Sequence, residues 1–249
     1  MSDLDFAPRA SAAPRSAQVW AHATTEASLI LRNGEQALLA LVIPIGILIA
    51  GRFTGSRVGV DFPTLVPSVL ALAIWSSCFT SLAIATGFER RYNVLERLSA
   101  TPLGKQGILL GKAAAIALVT AVQLVVLTAV SLLLGWRPEL SPLGLGVAIP
   151  ACLLAAVAFA GLALCLAGTA RPEVTLAAAN LVYLIGLLGG GILLPVASYP
   201  GWAQPVVALT PTGALGEALR TGTPMTLLVL LLWCAGTLVV ARKVFRWTS

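Results

Sequence analysis

Long runs of apolar residues, separated by short segments that carry the charge, constrain this chain more than any other feature. A charged side chain at the centre of a bilayer costs about 2.5–3.5 kcal/mol on insertion scales, so the uncharged runs predict membrane spans. About 20 residues are needed to cross roughly 30 Å of hydrocarbon. Six transmembrane helices are therefore predicted, over Gln36–Ala50, Leu65–Gly87, Ala113–Leu134, Leu143–Gly168, Val174–Leu194 and Met225–Ala241.

The composition supports a single membrane domain. Only 10% of the 249 residues are charged and 58% are hydrophobic, whereas a soluble domain carries about a quarter charged residues. A water-soluble globule is excluded, and an all-α integral membrane protein is predicted. The expected divisions are an N-terminal segment over 1–35, a transmembrane domain over 36–241 and a tail over 242–249.

The distribution of Lys and Arg predicts the orientation. With six spans, twelve of the 16 cations fall on the side that holds both termini, and four on the other side. The protein is predicted to lie in the plasma membrane, and the positive-inside rule then places both termini in the cytoplasm. The cations never form one basic face with interleaved aromatics, so a nucleic-acid partner is not expected.

Two segments outside the spans are amphipathic. Ser16–Glu35 is predicted to form an interfacial helix on the cytoplasmic leaflet, or alternatively to continue the first span into water. Its apolar face consists of Val19, Trp20, Ala23, Ala27 and Ile30. Pro195–Pro224 is predicted to form an external re-entrant hairpin before the last span, with a plain external loop as the alternative.

Catalytic and metal chemistry lack their residues. The only histidine, His22, lies in the N-terminal segment, where a solvated or interfacial position is expected, and no span contains a carboxylate pair at helical spacing. The stretch Gly107–Ala113 has three residues between its glycines instead of four, and Ala113 stands where a phosphate-binding loop needs Ser or Thr. The chain is therefore not expected to be an enzyme, to bind a metal or to bind a cofactor of its own.

The connector Phe88–Lys112 has the most specific pattern. Glu89–Ala100 is predicted to form a short charged helix with Val94, Leu95 and Leu98 on its apolar side. The Thr101–Pro102 pair ends it, because proline disfavours helix at the preceding residue. A second helix then starts near Gly104 and enters the third span. The alternative is that the cations of the connector Phe88–Lys112 only set the orientation of the protein in the membrane.

This connector resembles that of the type-2 (ABC-2) permeases of ABC exporters, which move antibiotics, polysaccharides or lipids. The matching residues are Glu89, Arg90, Leu95, Glu96, Arg97, Leu98, Thr101, Pro102, Ile108, Leu109, Leu110, Gly111 and Lys112. The triplet Tyr92–Asn93–Val94 departs from the usual Arg-Gly-Thr. Pro200–Arg220 is similar to the external hairpin of the same family, with the likeness carried by Pro211, Glu217, Ala218 and Arg220.

The resemblance implies a transport subunit coupled to a separate ATPase. Two permease chains, identical or homologous, would sit in membrane lipid on two ATPase subunits that bind ATP and Mg. Because the predicted spans contain no charged residue, an amphipathic or lipid-like substrate (a drug, lipid or glycan) is expected rather than an ion. The implied coupling helix would dock on the ATPase. Its implied residues are Glu89, Arg90, Leu95, Glu96, Arg97, Leu98, Thr101, Pro102 and Lys112.

Two further spacings predict contacts. Glu217 and Arg220 are three residues apart and predict a local salt bridge at the external rim, with substrate contact as the alternative. Gly186 and Gly190 form a small-xxx-small pattern in the fifth span that suits close packing with another helix, and a dimer interface is one alternative for that partner.

Three rival functions place different demands on the sequence. An ion-coupled secondary transporter normally needs an intramembrane Asp, Glu or His, and the predicted spans contain none. A membrane-embedded lipid enzyme would need clustered acidic or histidine residues near the interface. A structural membrane subunit without transport activity stays open, and stimulation of a partner ATPase would discriminate against it.

Overall fold

A computed structural model describes residues 13–32, 34–55, 61–138 and 141–245, with the backbone alone over 34–39. All regular structure in these ranges is helical, which confirms the all-α prediction for this part of the chain. The helices are α1 (Arg15–Arg32), α2 (Gly34–Thr54), α3 (Phe62–Trp75), α4 (Leu82–Arg91), α5 (Val94–Ser99), α6 (Gly104–Leu133), α7 (Pro142–Thr169), α8 (Pro172–Gly189), α9 (Gln204–Ala208), α10 (Pro211–Thr221) and α11 (Met225–Val244).

Five helices in the described residues are long and apolar enough to cross a bilayer. A π-helical turn, Ser76–Ser81, joins α3 and α4 into one continuous helix over Phe62–Arg91, and the others are α6, α7, α8 and α11. The predicted first span falls on α2 (Gly34–Thr54), of which Ala40–Thr54 is the apolar part that the structure describes with side chains. The count of six spans is therefore not confirmed and stays a prediction.

The helices and the predicted spans differ at their ends. The second span was predicted to end at Gly87, but its helix continues to Arg91. The predicted start of the next helix near Gly104 is confirmed, because α6 begins at that residue. Backbone hydrogen bonding inside a helix does not stop where charged side chains begin. The fifth span is shorter than predicted because α8 ends at Gly189 and Gly191 has a φ of 75°, a left-handed conformation that favours glycine.

The core lies where α3, the π-helical turn and α4 pack against α7, α8, α10 and α11. At its centre Trp75 stacks on Phe79 with ring centroids 4.3 Å apart and meets Phe159 edge-on at 4.7 Å. Gly186 lies against this indole, and a Cβ there would approach Trp75 Nε1 to 2.9 Å. The small residue thus serves packing within the chain, so the dimer-interface alternative for Gly186 is wrong.

Small residues also let α7 and α11 pack closely, as is typical of membrane helices. Gly161 of α7 is buried beside Thr237 of α11, where a Cβ would lie 2.5 Å from the Thr237 hydroxyl oxygen. Gly190 has a similar role at the end of α8, because a Cβ there would lie 2.6 Å from the Thr212 hydroxyl of α10. These glycines hold α8, α10 and α11 on the core.

The connectors meet in two groups, one at each end of the bundle. Val19 of α1 and Phe245 after α11 both pack against the cluster formed by Leu95, Leu103 and Ile108, so both described ends of the chain lie at the end that holds α5. We call this the α5 end. At the opposite end Arg52 donates from Nε to the Leu134 carbonyl at 2.8 Å. An even number of crossings places both ends of a chain at the same end of the bundle, as Val19 and Phe245 are placed here.

The N-terminal helix α1 packs along the first half of α6. Ala23 and Ala27, two residues of its predicted apolar face, are buried, whereas Trp20 of the same face is 58% exposed. The predicted amphipathic character is therefore confirmed, although part of the apolar face covers protein and only part is free to meet lipid. Whether α1 lies in the membrane interface stays a prediction.

Candidate coupling surface and adjoining pocket

A sharp break separates α4 from α5. Asn93 adopts a left-handed conformation with a φ of 57°, which asparagine tolerates better than most residues. The continuous helix predicted over Glu89–Ala100 is therefore wrong: Glu89 belongs to the end of the helix before the break, and α5 begins only at Val94. The predicted stop at Thr101–Pro102 is confirmed, since α5 ends at Ser99 and α6 begins at Gly104.

One face of α5 is fixed to the protein and the other is open. Leu95 is 1% exposed and packs with Leu103, Ile108 and the partly buried Leu98, as its place on the predicted apolar side requires. The remaining site residues of this segment lie on the outer face and are exposed: Glu96, Arg97, Thr101 and Pro102. The geometry thus provides a short charged helix seated on apolar side chains, with polar groups available to a partner.

Glu89 and Lys112, by contrast, do not lie on this outer surface. The Lys112 ammonium is 2.6 Å from the Glu89 carboxylate and 2.9 Å from the Glu26 carboxylate, and its side chain is only 5% exposed. Breaking such a pair on one side leaves an uncompensated buried charge and typically costs about 3–5 kcal/mol. These contacts join α1, α4 and α6. The two residues are therefore placed as interior links between helices rather than as docking groups.

The arginines beside Glu89 tie α4 to the connector between α7 and α8. Arg90 is buried and donates to the Ala170 carbonyl, which follows the last turn of α7. Arg91 is exposed and pairs with the Glu173 carboxylate in the first turn of α8. A movement of α4 would consequently be transmitted to α7 and α8 as well as to α5.

His22 faces α6 beside this ion cluster. Its ring lies against Gly111, where a Cβ would approach the His22 Cδ2 atom to 2.4 Å, and its Nε2 is buried with no hydrogen-bond partner among the described residues. Burial lowers the pKa of His22 from its ordinary value, more than the nearby Glu26 carboxylate raises it. Of the two predicted positions for His22, the solvated one is wrong and the interfacial one stays a prediction. The lowered pKa favours the neutral form of His22 at its contact with α6.

A second group of predicted site residues lies at the opposite end. Arg220, whose side chain is 4% exposed, donates to the carbonyls of Gly191 and Ile192 at 2.7 and 2.8 Å and to the Ser68 hydroxyl at 2.9 Å. Glu217 pairs with Arg220 at 3.2 Å, so the predicted salt bridge is confirmed. Its carboxylate also accepts from the Val196 backbone at 3.0 Å.

The pair thereby fixes the irregular backbone after α8 on α10. Pro211 begins α10 and is buried, after Thr210 has capped the helix by accepting from the Gly213 N–H at 3.0 Å. The helix α10 packs on α3, α7 and α11. Segment 195–224 is thus a helical hairpin held against protein, and its depth in a bilayer stays a prediction.

A pocket of about 390 Å³ opens between α1, α2, α4 and α6, next to the ion cluster. Most of its lining is aliphatic, and Glu26, Glu89 and Lys112 lie at one end. Gln123 lies deeper, where its amide accepts from the Ser77 hydroxyl at 2.7 Å and donates to the Ala40 carbonyl at 2.8 Å. Val94, the first residue of α5, also borders the pocket.

Comparisons with known proteins identify the family. The model of the ABC-2 type transporter family matches residues 17–223, which include α5, the pocket and α10. The chain belongs to the ABC-2 type transporter family. The resemblance inferred from the connector and the hairpin is thereby confirmed, and the protein is a multi-pass ABC transporter permease.

One named relative agrees with this assignment. The chain is 30% identical over 185 residues to the probable doxorubicin resistance ABC transporter permease protein DrrC of two strains of Mycobacterium tuberculosis. The match covers 71% of this chain and 66% of the relative, so it spans just under two thirds of the relative's length.

The sequence analysis did not predict the pocket or three of its polar lining residues, Glu26, Ser77 and Gln123. Glu26 was not selected because α1 was treated as a surface element, and its partner Lys112 lies 86 residues further along the chain. Gln123 and Ser77 were absorbed into apolar spans. The available signal was Gln123, the one amide side chain in the predicted third span Ala113–Leu134, because a buried polar group needs a hydrogen-bond partner.

Proposed function

We propose that this ABC-2 permease is the membrane subunit of an ATP-driven exporter for an amphipathic or lipid-like substrate. ATP would be bound and hydrolysed, with Mg, by a separate ATPase subunit. The observation that carries the proposal is the seating of α5, which presents exposed Glu96 and Arg97 on one side while Leu95 anchors it to α6 on the other.

A movement at α5 would reach the spans by two routes. The first is the Leu95, Leu103 and Ile108 cluster, which joins α5 to the start of α6. The second is the covalent link through Asn93 to α4, whose Glu89 is bound to Lys112 of α6. An ATPase that pushes on α5 would therefore act on α4 and α6 together.

The proposed topology has six crossings, with α2 as the first and both termini in the cytoplasm. The contacts that bring Val19 and Phe245 to one end support an even number of crossings. The excess of Lys and Arg at the α5 end supports a cytoplasmic location for that end. Two permease chains, identical or homologous, would pair in the plasma membrane, and segment 195–224 would form a re-entrant hairpin from the outside.

Charge reversal on α5 tests the proposal. In a complex of the permease with its ATPase, Glu96→Lys should abolish substrate-stimulated ATP hydrolysis and weaken co-purification of the ATPase, because reversing a charge in an interface creates repulsion. The matched control is Arg171→Glu, which reverses an exposed charge on the connector between α7 and α8 at the same end of the bundle.

Three results would count against the proposal. Full coupling and normal co-purification in Glu96→Lys would exclude α5 as the contact. Failure of the unsubstituted chain to retain any ATPase would reject the exporter assignment and favour a structural subunit. Uptake driven by a proton gradient without ATP would instead support a secondary transporter.

A further inference from the structure

The pocket between α1, α2, α4 and α6 has the size and shape of a small-molecule site. Its volume of about 390 Å³ falls within the roughly 300–1,000 Å³ typical of such sites. The walls are mostly aliphatic and include Leu82, Ile116 and Val119 from two facing helices. An apolar body of several fused or linked rings would fill this space and exclude water from it.

The charged end of the pocket has a definite sign. Among the described lining residues there are two carboxylates, Glu26 and Glu89, and one ammonium, Lys112. The ammonium is enclosed, with 5% of its side chain exposed, whereas the carboxylate side chains keep 20% and 21% of their surface exposed. The two carboxylate side chains are therefore the more accessible part of the cluster, although the Glu89 Oε2 atom is itself buried.

This arrangement disfavours an anion. A lipid phosphate at the same position would approach two carboxylates and would be shielded from Lys112 by them. A positive group would instead complete the charge balance of the cluster, and because the effective dielectric constant of a partly buried site is low, its Coulomb attraction to the carboxylates is several times stronger than in bulk water. The neutral polar groups deeper in the pocket do not require a polar ligand, because Ser77, Gln123 and the Ala40 carbonyl are hydrogen-bonded to one another.

The wall beside these polar groups contains the π-helical turn Ser76–Ser81, from which Ser77 and Ser81 line the pocket. Such turns occur mostly as single insertions inside α-helices and are frequent at functional sites. Here the wider turn interrupts the helix Phe62–Arg91 at the depth of Gln123. Leu29 and Leu31 of α1 are exposed at the rim of the pocket.

We infer that this pocket binds an amphipathic organic cation, with its positive group at the Glu26 and Glu89 carboxylates and its apolar body between α4 and α6. Because Val94 of α5 forms part of the rim, occupation of the pocket would also be sensed at the coupling helix. This last step, and only this step, rests on the proposed exporter function.

A pair of probe ions of nearly the same shape and opposite charge tests the site. Saturable binding of tetraphenylphosphonium and of tetraphenylborate is measured on the purified permease in lipid nanodiscs, with empty nanodiscs subtracted to remove partition into lipid. Saturable binding of the phosphonium alone is expected. Glu26→Gln, which retains an acceptor for Lys112, should weaken it by about tenfold or more, the equivalent of about 1.4 kcal/mol.

Two further variants separate the site from general effects. Glu173→Gln makes the same chemical change on an exposed carboxylate of α8 that does not line the pocket, and should bind the phosphonium as the unsubstituted chain does. Ala85→Phe fills the pocket from α4 without a change of charge, and should abolish binding. Elution of each variant as the same species in size-exclusion chromatography shows that it is folded.

Each outcome bears on a different statement. Absence of saturable phosphonium binding, equal binding of the borate, or unchanged affinity in Glu26→Gln would overturn the inferred site, even if the permease still stimulated its ATPase. Phosphonium binding by a chain that retains no ATPase would uphold the site and reject only the exporter proposal.

Discussion

The contacts of Arg220 predict a large loss of stability on its truncation. In Arg220→Met the aliphatic stem is kept, but the guanidinium no longer reaches the carbonyls of Gly191 and Ile192, the Ser68 hydroxyl or the Glu217 carboxylate, all within 3.2 Å. The Arg220 side chain is 4% exposed and that of Glu217 22%, so water compensates these lost bonds only in part.

The magnitude follows from the type of contact. Hydrogen bonds to a charged group are worth about 1.5–3 kcal/mol each, but carbonyls near the end of the bundle regain some hydration. We therefore take the cost of breaking a buried ion pair, about 3–5 kcal/mol, as the expected loss. For a chain of this length that loss corresponds to a decrease in Tm on the order of 10 °C. Arg220→Lys should recover only a minor part, because a single ammonium cannot span partners that lie in different directions.

Thermal unfolding of the purified permease in detergent, followed by intrinsic tryptophan fluorescence, measures the effect. Glu217→Gln removes the counter-charge of Arg220 but keeps the hydrogen bonds, because its amide oxygen can still accept from the Val196 N–H and from Arg220. It should therefore lower Tm less than Arg220→Met, which loses the hydrogen bonds as well as the ion pair. An Arg220→Met chain as stable as the unsubstituted one would refute the argument that this guanidinium holds the backbone after α8 on α10.

Three further predictions concern α1 and the orientation of the bundle. Gly111→Ala should destabilise the docking of α1 by about 1–3 kcal/mol through overpacking against His22, seen as faster proteolysis of α1; unchanged proteolysis would show that the ring moves aside freely. Because burial lowers the pKa of His22, docking should be at full strength above pH 6.5, its ordinary pKa, and weaken as the pH falls below it. His22→Gln should lose this dependence in a proteolysis series against pH, and an identical pH profile would exclude His22 as the cause. A cysteine at Thr101 should be labelled by an impermeant thiol reagent only after the cytoplasmic side is opened, whereas one at Ser141 should be labelled in intact cells; the reverse pattern would invert the assigned orientation.

The α5 segment shows how far local sequence reaches. Its apolar anchor Leu95 and its end at Thr101–Pro102 were predictable, because both depend on side chains within one helical turn and on the steric effect of proline. The break at Asn93 was not predictable. Asparagine can adopt either a right-handed or a left-handed conformation, and the tertiary contacts of the two flanking helices decide which one it takes. Only the packing of α4 on α7 and α8 decides that α4 extends to Arg91.

The sequence by itself determined that this chain is an all-helical membrane protein, since apolar runs of sufficient length in lipid must satisfy their backbone hydrogen bonds internally. It also determined the ABC-2 family, through motifs that are contiguous in the chain. Tertiary structure decided the partners of the buried charges. Lys112 meets Glu26 across 86 residues and Arg220 meets Ser68 across 152, and no local pattern encodes which distant groups will share a site. The pocket is the clearest case, because its cavity and the sign of its charged end exist only after α1 has docked on α6.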